Sequence, residues 1–174
     1  GQSSSTLYDN ITRDWRYLVN TYNISHHPRY LHHNGKPVVG VWGIGVGDRP
    51  TTPTNAAQIV NFFKNDPTYG GNCLLGGISQ GWRNQSGGLP DPAWAAIYRS
   101  LNVISPWIVG SFVDAGGINN SKTNYTVPDL AECNSLGIGY LQVVWPGFSW
   151  NNLQQRDPPN WSEIPRNGGQ LFWD

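Results

Sequence analysis

The sequence predicts an α/β protein with a parallel sheet: a partial (β/α)8 barrel of about four strands with crossover helices, or an open parallel α/β sheet. Two patterns predict it. Short, nearly continuous apolar runs lack the in-and-out alternation of a half-solvated strand, so they fit strands buried on both faces. Between them, apolar residues recur at three- and four-residue steps, the spacing of helices with one inward face. A complete barrel takes eight strands and typically ~250 residues. This sequence has 174 and reads as one unit over residues 1–174, about half a barrel.

The elements follow in order. Leu7, Ile11, Trp15, Leu18, Val19 and Tyr22 mark an amphipathic helix over 7–22, and His26–Gly35 reads as a polar loop with an Asn-Gly turn. Pro37–Val46 is the first buried strand. A helix over Pro53–Lys64 follows, with Thr52 or Thr54 as its cap. Asn72–Ile78 is the second strand, and Asp91-Pro92 starts the next helix, Asp capping and Pro in the first turn. Val103–Val109 is the third strand, with Pro106 near its end. Val127–Leu136 is a further crossover helix, Ile138–Trp145 the fourth strand, and the chain from Gly168 starts another helical or extended piece.

Composition narrows the partners. Eleven basic residues balance eleven acidic ones, so no positive surplus exists to neutralise phosphates, and nucleic acid is not an expected partner. No apolar run approaches the ~18 residues of a membrane span. Charged residues make up 13%, against ~25% in an ordinary soluble domain, and Gly (21), Trp (9) and Tyr (8) fill the deficit. A neutral, aromatic-rich surface suits an uncharged polar ligand, so carbohydrate is the expected one. Six Asn-x-Ser/Thr sequons, at Asn10, Asn23, Asn84, Asn119, Asn124 and Asn160, suggest a secreted eukaryotic glycoprotein. Cys73 and Cys133 are too few for a disulfide framework and read as two buried thiols. The chain opens Gly-Gln and has no Met, so it reads as a mature product or a piece of something larger.

In either closure, ligands gather beyond the carboxyl ends of the strands. Each strand delivers a Trp there: Trp42 with Asp48 and Arg49, Trp82, Trp107, and Trp145 with Phe148 and Trp150. Indole faces stack on a pyranose while polar groups bond its hydroxyls, so these eight residues are the expected ligand-binding set. Glycoside hydrolysis needs two carboxyl groups ~5 to 9.5 Å apart. Only two Glu exist: Glu132 reads as solvent-facing on a helix, and Glu163 as paired with Arg166. Asp48, next to Arg49, is a better hydroxyl ligand than proton donor. The catalytic residues therefore stay unknown. The four histidines in Ser25–His33 lack metal-ligand spacing, so neither a metal nor another cofactor is expected.

Several motifs occur in a telling order: Tyr30-Leu-His-His-Asn-Gly-Lys-Pro-Val-Val39, Trp42-Gly-Ile-Gly45, Arg49-Pro50, Asp91-Pro-Ala-Trp94, Ile104-Ser-Pro-Trp107, Pro128-Asp-Leu-Ala131, Val144-Trp-Pro-Gly-Phe-Ser-Trp150 and Ile164-Pro-Arg-Asn-Gly-Gly169. Together, from about Asp14 to Trp173, they resemble secreted (β/α)8 TIM-barrel proteins related to glycoside hydrolase families 71 and 99, the endo-α-mannosidase-like group. The resemblance implies a glycan or polysaccharide substrate and a catalytic carboxylate pair on a later strand, downstream of Gly168-Gly169. The sequence stops before that segment and lacks the first barrel strands, so no catalytic residue carries over. The expectation is a central portion of a secreted glycoside hydrolase-like barrel, completed by the remaining barrel segments. The alternatives are a lectin-like carbohydrate-binding protein, or a structural glycoprotein that self-associates through open sheet edges.

Overall fold

The computed structural model of the chain describes residues 3–47, 49–86, 91–155 and 163–173. Helix α1 (Ser4–Tyr22) begins one turn before the expected Leu7 and buries Leu7, Thr12 and Trp15. It ends where Asn23 adopts the left-handed conformation (φ 48°) and returns its N–H to Val19. The expected polar loop then contains a two-residue strand, β1 (His32–His33), antiparallel to β2 (Lys36–Ile44). The correction has a local cause. Asn34 (φ 51°) and Gly35 (φ 74°) both take positive φ, the geometry of a tight hairpin turn, so the flanking histidines fall opposite β2.

Helix α2 (Pro53–Asn65) is capped by Thr52, whose hydroxyl accepts from Asn55 N–H while Asn55 Oδ1 accepts from Thr52 N–H. Strand β3 (Cys73–Ser79), helix α3 (Ala93–Arg99) and strand β4 (Val103–Trp107) follow, and Asp91 accepts from Ala93 N–H at 2.9 Å as the start signal foretold. Helix α4 (Ala115–Ser121), capped by Asp114, was not anticipated, because Gly116-Gly117 and Asn119-Asn120 are weak helix formers. It runs through a π-helical turn at Lys122–Thr126 into α5 (Val127–Leu136), which Gly137 stops at φ 67°. After β5 (Gly139–Tyr140) come α6 (Trp150–Gln154) and α7 (Gln170–Trp173).

The sheet order is β1-β2-β3-β4-β5, with β2 to β5 parallel and β1 antiparallel at the edge. This is the predicted α/β fold with four parallel strands. Among the described residues the order does not close on itself. The fourth parallel strand is shorter than expected: pairing stops at Tyr140 rather than reaching Trp145. Pro106 supplies the reason. Leu141 N–H donates to Ile104 O, so Ile104 faces β5, and two residues on, so does Pro106, which has no N–H to offer.

Helices cover one face of this sheet. Leu74, Ile78, Ile104 and Ile44 are enclosed there with Ile59, Phe62, Phe63, Trp94 and Leu101. Edge-on contacts join α1 to α2, Trp15 with Phe63 at 5.6 Å and Tyr8 with Phe62 at 6.3 Å. Cys73 and Cys133 are both buried free thiols, and burial pushes Cys133 up to about 11. No helix among the described residues is long and apolar enough to cross a membrane.

One ion pair ties the turn after β3 to α5. Arg83 Nε meets Asp129 Oδ1 at 2.6 Å, and Arg83 Nη2 donates to Asn124 O at 2.9 Å. Asp129 is fully enclosed, and burial raises its carboxyl above its ordinary pKa against the opposing pull of Arg83. Glu132, expected to face solvent, instead pairs with Arg99 at 2.5 Å. Because the folded pKa of Asp129 is raised, protonation favours the folded state and ionisation opposes it. Arg83→Ala therefore leaves a buried carboxylate uncompensated. We expect a loss of about 3 kcal/mol near pH 7, shrinking as pH falls through the folded pKa. Urea melts at about pH 7 and about pH 4 read the difference; an equal loss at both would remove this assignment.

Candidate functional site

Side chains of a strand alternate between faces, and neighbours in register share one. Trp42 is in register with Gly77, and Gly77 with Ser105; Ser79 is in register with Trp107. These residues lie on the face opposite the helices. On this face Leu75 and Val103 are of intermediate accessibility and Trp42 and Trp107 are 48% and 45% exposed, while Cys73, Gly77, Ser79 and Ser105 are buried. All four parallel strands point the same way, so their carboxyl ends form one rim. Trp42 and Trp107 stand at that rim.

The two indoles meet edge to face, centroids 5.3 Å apart at 85°. A neighbouring glycine makes this possible. A Cβ on Gly77 would overlap Cδ1, Cγ and Nε1 of Trp42, so the indole lies directly on the β3 backbone. The Arg49 guanidinium stands 5.1 Å from the Trp42 ring, a cation–π contact. The result is an aromatic corner with one cation over it, whose floor is Gly77 with Ser79 and Ser105 on the flanking register positions.

A second aromatic pair lies past β5, with Phe148 half-buried against Ile108, Trp145 and Ile164 and Trp150 exposed. Phe148 and Trp150 contact edge to face at 5.2 Å, and Trp150 is 42% exposed. Phe148 is held by an antiparallel bridge to Ile164, its N–H donating to Ile164 O at 3.0 Å and its O accepting from Ile164 N at 2.8 Å. Gly110 (φ 80°), in the turn after β4, faces both rings: a Cβ there would stand 3.8 Å from Phe148 and 3.9 Å from Trp150. The loop after β4 thus seats the pair that follows β5. Ser149 Oγ donates to Glu163 Oε1 at 2.7 Å, so Glu163 has a partner that its sequence neighbourhood did not suggest.

Of the eight expected ligand-binding residues, Trp42, Arg49, Trp107, Phe148 and Trp150 fall into these two clusters. Asp48 lies outside the described residues. Two expectations are corrected. Trp82 is 1% exposed, with the Arg99 guanidinium 5.4 Å from its ring, and Trp145 is 5% exposed and packed on Phe112 at 4.6 Å. Both are enclosed by protein and present no face to a ligand. A Trp placed just past a strand belongs to the helix layer or the bare face according to register, and Trp82 follows the Gly81 turn where strand register no longer applies. Gly77 and Gly110, which seat the exposed rings, were not foreseen; the adjacent Gly76-Gly77 inside a buried strand was the available signal.

Three further carboxylates have partners within the protein. Asp114 Oδ1 accepts from Gly117 N–H as a helix cap, Asp129 holds Arg83, and Glu132 holds Arg99. Among the described residues no group of three or more His, Cys, Asp or Glu is arranged to hold a metal ion. The histidines take local bonds, His26 with Ser25 and His32 with Tyr30 O. Of the sequon asparagines, Asn23, Asn84, Asn119 and Asn124 are exposed and Asn10 is half-buried on α1; Asn160 lies outside the described residues.

The sequence matches no protein-family model and no curated protein. The structure is similar to that of the GH99 endo-α-mannosidase from Bacteroides thetaiotaomicron in complex with bis-tris-propane, with a TM-score of 0.62 and 13% identity. The likeness covers 100% of this chain and 47% of that one, so the chain spans about half the length of its structural neighbour. At this identity the likeness is one of fold. It supports the sequence resemblance at the level of a distant glycoside hydrolase-like architecture.

The corner depends on Gly77 having no side chain. Gly77→Ala is expected to lift the Trp42 indole off β3 and break its contact with Trp107, at an overpacking cost of about 1–3 kcal/mol. Near-UV circular dichroism and urea melts check this together; an unchanged aromatic signal at unchanged stability would show that the indole does not rest on β3.

Proposed function

We propose that this chain is a portion of a glycoside hydrolase-like barrel whose strand-end rim binds a glycan. The observation that carries the reading is the set of exposed indoles, Trp42 with Trp107 and Trp150 beside the half-buried Phe148, gathered at the carboxyl ends of a parallel sheet. Exposed indoles offer apolar faces to sugar rings, and Arg49 supplies hydrogen-bond donors for hydroxyls. The chain is neutral, which suits an uncharged ligand. The fold likeness to an endo-α-mannosidase adds weight and makes α-mannosides the first ligands to try.

Turnover would require two carboxyl groups flanking a glycosidic bond. The described carboxylates at the rim, Asp114 and Glu163, are respectively a helix cap and a hydrogen-bond acceptor of Ser149. In this reading the catalytic pair comes from polypeptide outside these residues. A second reading, a non-catalytic carbohydrate-binding protein, draws on the same observation. Binding with hydrolysis favours the first, and binding with no hydrolysis by any longer form of the protein favours the second. Secretion and glycans at the exposed sequons belong to this proposal, and a mass decrease on enzymatic deglycosylation of the natural protein tests them.

The rim is tested by truncating its platforms. Trp107→Ala and Trp150→Ala are each expected to weaken oligosaccharide affinity by about 1–2 kcal/mol, the scale of a lost aromatic contact. A glycan array selects the ligand and titration calorimetry measures it. Unchanged affinity in both variants, with the wild-type chain binding, would move the site away from this rim.

A further inference from the structure

Strand β2 is irregular where it reaches the rim. Trp42 is in register with Gly77 and Ile44 with Ile78, so two steps along β2 match one along β3, and Gly43 is the extra residue of a β-bulge. Gly43 takes φ 92°, a conformation open to glycine. In a regular strand Ile44 would share the bare face with Trp42. The bulge turns it instead into the helix-side core, where it is 2% exposed. The chain leaves β2 with Trp42 on one face and Ile44 on the other, and bends back at once.

The bend is fixed from both sides. Gly43 O accepts from Val46 N–H at 3.4 Å and from Thr51 Oγ1 at 3.1 Å, and Val46 O accepts from Arg49 N–H at 3.0 Å. A Cβ on Gly43 would stand 3.0 Å from Arg49 Cγ, so the arginine stem crosses the bulge on its way to the Trp42 ring. From the helix layer, the Tyr98 side chain of α3 lies against Gly45 (φ 68°). A Cβ on Gly45 would overlap the phenol oxygen and stand 2.9 Å from Cζ.

Tyr98 has no room to yield. It is 2% exposed and stacked on Trp94, with centroids 5.9 Å apart and 15° between the rings, inside the core of the helix face. A close-packed interior transmits a displacement rather than absorbing it. A methyl group at Gly45 is therefore pushed outward, and the loop that carries Arg49 moves with it.

We propose that Tyr98, bearing on Gly45 beside the Gly43 bulge, is a positioning residue of the rim: it sets the loop that holds Arg49 over Trp42. It touches no ligand and acts through Arg49. For affinity the inference rests on the glycan reading proposed above; for geometry it stands on the loop itself.

Variants of the full natural polypeptide test it, read by near-UV circular dichroism and by calorimetric titration with α-mannobiose. Gly45→Ala should change the aromatic signal and weaken binding about tenfold, the scale of a lost hydrogen bond to a charged group. Adding Tyr98→Phe removes the overlapping oxygen, so signal and affinity should return most of the way; the ring carbon at 2.9 Å keeps the recovery partial. In an Arg49→Met background Gly45→Ala should weaken binding no further, because residues that act through one another are not additive. A loss that adds to that of Arg49→Met overturns the proposal, as does a Gly45→Ala signal that Tyr98→Phe leaves unrepaired. Should Gly45→Ala alone fail to fold, a folded double variant supports the positioning and an unfolded one overturns it. Absence of α-mannobiose binding by the wild-type protein counts against the glycan reading, and the aromatic signal then decides the positioning by itself.

Discussion

Everything in this structure follows from a parallel sheet covered by helices on one face only. The crossover helices bury Leu74, Ile78 and Ile104 completely, and the opposite face keeps Trp42 and Trp107 nearly half exposed. Parallel sheets are ordinarily enclosed on both sides, since their crossovers occupy the faces. A barrel meets this requirement by curling the second face upon itself, and its interior is then filled by layered side chains. On the proposed barrel reading, the four parallel strands supply part of such an interior. The exposed aromatics and the open edge of β2 are two consequences of that one geometric fact.

Strand β3 shows how tightly the two faces are coupled. It carries two adjacent glycines, and each is required by a different layer. A Cβ on Gly76 would overlap the Leu101 side chain on the helix face, while one on Gly77 would overlap Trp42 on the bare face. The strand is thinned to backbone on both sides at one point, so a core leucine and a rim indole rest on the same two residues. Packing at native density leaves no slack there. The rim is therefore anchored in the helix-side core rather than laid over it.

The sequence made the period-driven part of this fold legible. Helix α5 has the boundaries its pattern predicts, with Pro128 in its first turn, and α2, which Thr52 caps and Pro53 opens, ends one residue beyond its expected limit. What periodicity could not reveal depends on pairing across the sheet. The shortening of β5 arises from Pro106 on a neighbouring strand, which shows only once Ile104 is known to face β5. Helix α4 was hidden by its glycines and asparagines. At the site, Trp42 and Trp107 were legible because they lie within strands. Trp82 and Trp145 were not, because beyond a strand end the direction of a side chain is set by the turn.

The ionisable groups complete the division of labour. Asp129 and Glu132 sit on one helix and each is met by an arginine from a different element, Arg83 after β3 and Arg99 at the end of α3. Arg99 also stands over the ring of Trp82. These contacts draw the turn after β3, α3 and α5 together behind the rim, which is why Trp82 is core and unavailable to a ligand. The carboxylates so used lie in the helix layer, on the far side of the sheet from the aromatic corner. Under the glycan reading proposed above, a hydrolytic pair for a ligand at that corner would approach from the bare face, which Asp129 and Glu132, held in the helix layer by Arg83 and Arg99, do not reach.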